Sequence, residues 1–326
     1  MGNTLNQNNS TFIKTLRRML IVPEVPIAFF ILFFVIFLSI TAEFFFSSAN
    51  ILLVSKQLSI NGILALAMAL SIISGGLDLS VGSMVGALVT FTGYMALTYH
   101  LPFGLVFALT ILAGAGLGAC NGLAIVGLSV PPIIVTLGTM NAFRGVILVI
   151  TNGRFFTGFP EIYRGIGNGL VPFIVLVALM VFLSFMMKKT KFGRHIRSIG
   201  GSESSARLAG INVKRTKFFV YVIIGMLVGL VTMIYIGRAG VGETAAGTGY
   251  ETQALAAAVV GGVSFVGGRG SMLGAFLGAT LLAFVLNGLV SLQVSSYYQG
   301  IITGSVIVLA LVMELFRNNY LKRVVL

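Results

Sequence analysis

Apolar residues fill this chain in long uninterrupted blocks, not on one face in three or four. Helices apolar all round are buried in a large interior or in lipid. Blocks of about 18 residues or more are long enough to cross a bilayer. The first covers residues 25–42 and the second 51–73, which ends in SGGLDLSVGS (74–83) before a third continues to residue 99. A fourth runs over 103–128 and stops at SVPP (129–132), a fifth over 133–150 and a sixth over 170–187. Residues 218–237, 272–290 and 298–316 supply three more. Residues 253–266 are apolar but short and hold Gly261 and Gly262, the pattern of a buried or re-entrant segment. The pattern predicts an all-α polytopic membrane protein of about ten transmembrane helices, some broken or re-entrant. The first block is too long for a signal-peptide core, and AEFFFSSAN after it has no small-x-small cleavage site, so it reads as an uncleaved anchor.

The polar stretches set the orientation. Residues 188–217 hold Lys188, Lys189, Lys191, Arg194, Arg197, Arg207, Lys214, Arg215 and Lys217, with Glu203 as their one acid. Basic loops between apolar spans stay in the cytoplasm. Ten crossings starting inside place this loop, Lys14, Arg17, Arg18, Arg269 and the basic tail inside, and leave Lys56, Arg154, Arg164 and Arg238 outside. The chain therefore divides into a cytoplasmic segment (1–24), a first bundle (25–187), a cytoplasmic loop (188–217), a second bundle (218–316) and a cytoplasmic tail (317–326), with both termini inside. Residues 151–169 and 238–251 read as external.

Composition narrows the function. The chain is 57% hydrophobic and 9% charged, against about 25% charged in soluble domains. Its net charge of +13 sits at membrane edges, which speaks for lipid and against nucleic acid. The single Cys120 excludes internal disulfides and Cys-based metal sites. His100 and His195 fall in loops, and neither H-E-x-x-H nor a phosphate-cradling G-x-x-x-x-G-K-[ST] occurs. No catalytic residue, metal or cofactor is expected, and the chain reads as a transporter component, not an enzyme. Asp78 and Arg144 are the ionisable residues nearest membrane depth, where charge is costly and faces a partner or a wet cavity. Asp78 also suits the cap of a helix, and Arg144 also suits structural pairing or snorkelling. Asn61, Thr139, Asn141 and Asn287 are amide and hydroxyl groups for interhelical bonds or for a hydroxyl-rich solute. Tyr250 and Glu251 read as exposed on the outer side, facing a delivered ligand or external partner.

A weak internal two-fold repeat is present. GSMVGA (82–87) returns as GSMLGA (270–275), each soon after a glycine pair, Gly75–Gly76 and Gly261–Gly262, that closes an apolar run. Gly-interrupted helices at matching places in two halves mark transporters.

ISGGLDLSVGS (73–83), TKFGRHIRSIGGSESSARLAGINVKR (190–215), TAAGTGYE (244–251), AAAVVGGVSFVGGRGSMLGA (256–275) and VSSYYQ (294–299) together resemble the signatures of bacterial monosaccharide ABC-transporter permeases of the ribose, galactose and arabinose type. The likeness is strongest to the ribose branch and runs from about residue 51 to 315. It implies a permease subunit of an ATP-driven importer in the bacterial inner membrane, working by alternating access. The implied partners are a cytoplasmic ABC ATPase, a periplasmic or lipid-tethered sugar-binding protein, and a second permease subunit, identical or a paralogue. It also assigns Ser202, Glu203, Ser204, Ser205, Ala206, Arg207, Leu208, Ala209 and Gly210 to a short coupling helix seated in the ATPase. The residues agree: Ser202 suits an N-cap, Glu203 the positive end of a helix and Gly210 its termination. A stand-alone ion-coupled sugar carrier or channel is the alternative; it needs no coupling helix and wants more charge at depth. Gln253 and Leu255 depart mildly from the resemblance, which bears on the sugar and not on the class.

Overall fold

A computed structural model describes residues 24–42 and 44–295, together with positions 298, 300–302, 304–305, 308–309 and 312. The expected cytoplasmic segment 1–24 (but for Glu24), most of the tenth span, much of the VSSYYQ motif and the tail 317–326 lie outside the described residues.

The apolar blocks become helices, as they must where the backbone has no water to bond. They are α1 (Glu24–Thr41), α2 (Ser48–Ile73), α3 (Val81–Gly93, continued by a π turn Tyr94–Thr98), α4 (Phe103–Gly127) and α5 (Pro132–Thr151). After a strand β1 (Phe156–Thr157) and a short helix α6 (Arg164–Gly167) come α7 (Val171–Lys189), α8 (Lys191–Gly201), α9 (Glu203–Leu208) and α10 (Val213–Ala239). Strand β2 (Val241–Gly242), α11 (Tyr250–Val260) and α12 (Met272–Ser291) follow. Among the described residues, 8 helices are long and apolar enough to cross a membrane.

Helix α2 runs through the core, its second half buried almost without interruption from Leu58 to Ile73. The most extensive pairing is α4 with α10. Gly114 and Gly118 on α4 face Gly225 and the Tyr221 carbonyl on α10 so closely that a methyl at either glycine would enter the opposite backbone. Small residues one turn apart are how helices gain dispersion contact where lipid removes the hydrophobic drive. Helices α1 and α5 are peripheral and mostly unburied.

The short apolar segment behaves as its length requires. Helix α11 has 11 residues, about half of what a bilayer core demands. It reaches from the level of Asn61, midway along α2, toward the Ile73 end of α2, where Gly261 meets Gly274. The stretch before it is not wholly external, as its glycines and polar residues suggested. Gly242 lies beside Val89, Ala246 beside Gly86 and Gly247 beside Gly82, so this segment runs along α3 from its Gly93 end toward its start. The glycines of α3 leave the space that lets an irregular backbone run at membrane depth inside protein.

The two glycine pairs end their helices in the same way. Gly75 (φ +79°) and Gly262 (φ +79°) take the left-handed conformation. Gly75 and Gly76 donate to Ile72 and Ser71, and Gly262 and Val263 to Val259 and Ala258. This is one Schellman cap used twice. The GSM word is less faithful: Ser83 lies inside α3, whereas Ser271 is the N-cap of α12.

Candidate functional site

The polar loop folds into a compact hairpin beside the Ile73 end of α2. Thr190 caps α8 by accepting from Gly193 N–H at 3.1 Å. Ser202 caps α9 by accepting from Ser205 N–H at 3.2 Å. Gly210 (φ +78°) closes α9, its N–H donating to Arg207 and that of Ile211 to Ala206. Asn212 then caps α10 through Arg215 N–H at 3.0 Å. A six-residue helix is unstable alone; here Ala206 anchors it in a small core with Ile199 and Val213. Glu203 pairs with Arg207 at 3.1 Å and with Lys217 at 2.6 Å. The hydrogen bond from Lys217 comes first in holding the Glu203 carboxyl below its usual range.

The rest of α9 faces outward. Ser204, Ser205, Arg207, Leu208, Ala209 and Gly210 are exposed, and Leu208 is 90% exposed, an apolar side chain on a polar tip. Beside it, a cleft of about 240 Å³ opens between Glu203, Arg207, Lys214 and Lys217 on one side and Ser129–Pro132 on the other.

Behind this surface the hairpin touches both helix breaks through backbone. Gly200 of α8 lies directly on the Ile73 carbonyl and the Gly268 amide, and Gly75 and Gly267 pack on it from either side. Gly268 N–H donates to the Ile73 carbonyl at 3.0 Å, tying the turn after α11 to the end of α2. Neighbouring Gly201 meets nothing.

The predicted pathway residues are not gathered into one pocket. Asn61 donates to Gln253 at 3.0 Å, joining α2 to α11. Asn287 exchanges two bonds with Asn50, at 2.8 and 3.2 Å, joining α12 to α2. Asp78 is fully buried and its Oδ1 accepts from Ser80 N–H at 2.9 Å and Ser80 O–H at 2.6 Å, closing the turn just before α3. On α5, Thr139 is half-buried and donates to Thr136 at 3.3 Å, while Asn141 is exposed and donates to Leu137 at 2.9 Å. Arg144 reaches across to the Ala246 carbonyl at 2.8 Å. Tyr250 and Glu251 are a correction: they are half-buried in the first turn of α11, with the Glu251 carboxylate against Gly82. The run of 242–249 along α3 carries them in among the helices.

Sequence reasoning missed Gly200, Asn50, Asn121 and Tyr221. Asn121, set among glycines in GACNG (118–122), is the polar residue an apolar span keeps only for a hydrogen bond. Nothing in the local sequence distinguishes Gly200 from Gly201.

A family model described as branched-chain amino acid transport system / permease component matches residues 50–311. The ribose import permease protein of Escherichia coli (strain K12) is 40% identical over 282 residues, 83% of this chain and 87% of that protein. The ribose import permease protein of Haemophilus influenzae is 37% identical over 286 residues, 85% of this chain and 87% of its own. The D-allose transport system permease protein of Escherichia coli (strain K12) is 33% identical over 293 residues, 88% and 90% of the two chains. No solved structure matches the chain.

Proposed function

The chain belongs to the branched-chain amino acid transport system / permease component family, and from that membership we propose that it is the membrane-spanning permease subunit of an ATP-driven ABC importer. Its cargo is a monosaccharide, ribose or similar, carried across the bacterial inner membrane by alternating access. The observation that carries this reading is the 40% identity with a ribose import permease over 87% of that protein's length. Sugar is moved and not chemically altered; ATP is hydrolysed on a separate subunit. A binding protein delivers the sugar, a second permease subunit completes the pathway, and both termini lie in the cytoplasm.

Helix α9 is the docking element for the ATPase. Its support is geometric: a capped short helix, held at Ala206, that presents Leu208 to the cytoplasm. Motion of α9 passes to α8 and from Gly200 to the ends of α2 and α11 together. Energy enters as a difference in affinity between two conformations. Asn141 and Arg144 on the little-buried α5 are the polar groups best placed to face the pathway between two subunits. Asn61 and Asn287 bond to other helices and serve packing.

The test is uptake of radiolabelled ribose and allose into proteoliposomes holding this chain with the ATPase and binding protein of its own operon. Uptake requires ATP and survives a protonophore. Leu208→Glu lowers it at least tenfold and frees the ATPase in pull-down, without changing the permease's melting temperature. Uptake without ATP, or abolished by the protonophore, refutes the importer reading. Unaltered uptake by the variant refutes only the docking assignment.

A further inference from the structure

The cleft of about 240 Å³ beside α9 combines an apolar wall with an excess of positive charge. It lies between the hairpin and the turn that joins α4 to α5. Ile125, Val126, Pro131 and Pro132 give it apolar surface, and Arg207, Lys214 and Lys217 give it three cations. Glu203 is the one acid that lines it.

Charge is not balanced within the cleft. Glu203 serves two of the cations at once, Arg207 at 3.1 Å and Lys217 at 2.6 Å. Lys214 is exposed and belongs to neither ion pair among the described residues. An excess of two positive charges remains. The helix that carries the two lysines does not offset them. Lys214 stands in the first turn of α10 and Lys217 a turn later, and that end of a helix is itself positive. Like charges gathered in one cleft repel, and an anion from outside the chain relieves the repulsion.

Position narrows which anion. Helix α4 ends at Gly127 and α5 starts at Pro132, and both are long and apolar enough to cross a membrane. The turn between them therefore lies at the edge of the hydrocarbon, at the level of lipid headgroups. Leu128 and Ile133, on either side of that turn, are 75% and 43% exposed. A phosphate in the cleft thus has apolar surface next to it at the height where acyl chains begin. Neighbouring Arg215 does not line the cleft; its guanidinium lies over the Phe219 ring, 5.9 Å from the centre.

We propose that this cleft binds the headgroup of an anionic phospholipid, with Arg207, Lys214 and Lys217 on its phosphate oxygens and its acyl chains passing over Leu128 and Ile133. Basic pockets between membrane helices hold such headgroups. Two excess charges suit a lipid with two phosphates, such as cardiolipin, better than a lipid with one. The bound lipid joins α9 and α10 to the α4–α5 turn and holds the hairpin against the bundle. The inference rests on the membrane-spanning fold, not on the cargo or its energy source.

The full chain, delipidated in non-ionic detergent, is titrated separately with cardiolipin, phosphatidylglycerol, phosphatidylcholine and inorganic phosphate, and the first bound adduct is followed by native mass spectrometry. Cardiolipin binds most tightly and phosphatidylglycerol next, while phosphatidylcholine and inorganic phosphate leave the protein bare. Lys214→Gln weakens cardiolipin binding about fivefold, the worth of one cation at a lipid surface, and Lys214→Arg keeps it. Arg215→Gln, the same loss of charge one residue away, leaves it unchanged. Equal weakening by Lys214→Gln and Arg215→Gln overturns the proposal in favour of diffuse attraction to the basic hairpin. Phosphatidylcholine bound as tightly as cardiolipin overturns it in favour of apolar contact alone, and saturation by inorganic phosphate in favour of a soluble anion. Loss of the cardiolipin adduct when the ATPase of the same operon is bound also overturns it, because the cleft is then a protein contact. If a variant does not fold, the order of binding to the wild type still decides.

Discussion

Replacing Gly200 by Ala tests the junction between the hairpin and the two helix breaks, and Gly201→Ala is its control on the same turn of α8. A methyl at Gly200 enters the Ile73 carbonyl oxygen, and stands 2.5 Å from Gly268 N and 2.9 Å from the Ile73 carbonyl carbon. Ordinary contact is about 3.5–4.0 Å, so backbone on both sides must give by about 1 Å. Overpacking of this kind costs about 1–3 kcal/mol. The same displacement breaks the Gly268–Ile73 hydrogen bond, and an unpaired buried amide adds about 1–3 kcal/mol. The two effects share one displacement, so the expected loss is of order 2–4 kcal/mol. Gly201→Ala meets nothing within 4 Å and gains up to about 0.5 kcal/mol by restricting the unfolded chain. Thermal unfolding of both variants in one detergent reads the difference, a fall of at least about 4 °C for Gly200→Ala alone. ATP-driven uptake in proteoliposomes falls with it if the junction carries motion from α9. Equal melting temperatures for the two variants would refute the packing; a destabilised Gly200→Ala with full uptake per folded molecule would refute the transmission.

Glu203 supplies a pH test. Its carboxyl is held low chiefly by the Lys217 hydrogen bond, so its contribution is fully present above about pH 4.5 and lost as pH falls through the depressed value. Acid unfolding of the wild type therefore steepens below that pH relative to Glu203→Gln; because Glu203 is 43% exposed, screening keeps the effect small, and parallel curves would remove the pair as a stabilising contact. The Asn50–Asn287 exchange predicts a coupling of about 0.6 kcal/mol, and at most about 1.7 kcal/mol, in a double-alanine cycle read by unfolding. Additive single losses would show that the amides act independently.

The crossing helices were legible because lipid leaves an apolar block no other stable form. Charge alone sorted the loops into two sets, and the two sets lie at opposite ends of α2: Lys56 meets Asn168 at 2.9 Å near its start, and the basic hairpin meets Gly268 beside Ile73 at its end. Local caps were legible as well, since Ser202 and Gly210 act within four residues. What could not be read was the direction of irregular backbone. TAAGTGYE (244–251) has the composition of a surface loop, yet it runs inward along α3 because Gly82 and Gly86, far away in sequence, leave room. Tyr250 and Glu251 were misplaced for that reason alone. Asn61, Asn287 and Asp78 stood out in the sequence as polar groups among apolar ones, but their partners Gln253, Asn50 and Ser80 depend on packing that no spacing rule supplies.

The two helix breaks are joined through glycine and not through charge. A left-handed glycine caps α2 and another caps α11, and in each case the cap exposes flat backbone instead of side chain. Gly200 is the glycine of α8 that lies against both breaks. A contact made of backbone has no rotamers to absorb strain, so a shift of α8 must be passed on or refused as a whole. Side-chain contacts at the same place would yield by rotation and blunt the stroke. The ends of α2 and α11 are also bonded to each other through Gly268 and Ile73, so neither half-span moves without the other. On this geometry a displacement of α8 at Gly200 meets both breaks together. Substituting Gly75 or Gly262 by any L-residue should therefore impair the two breaks to the same extent, which a side-by-side comparison of Gly75→Ala and Gly262→Ala by unfolding and uptake would decide: strongly unequal effects would mean that the breaks work separately.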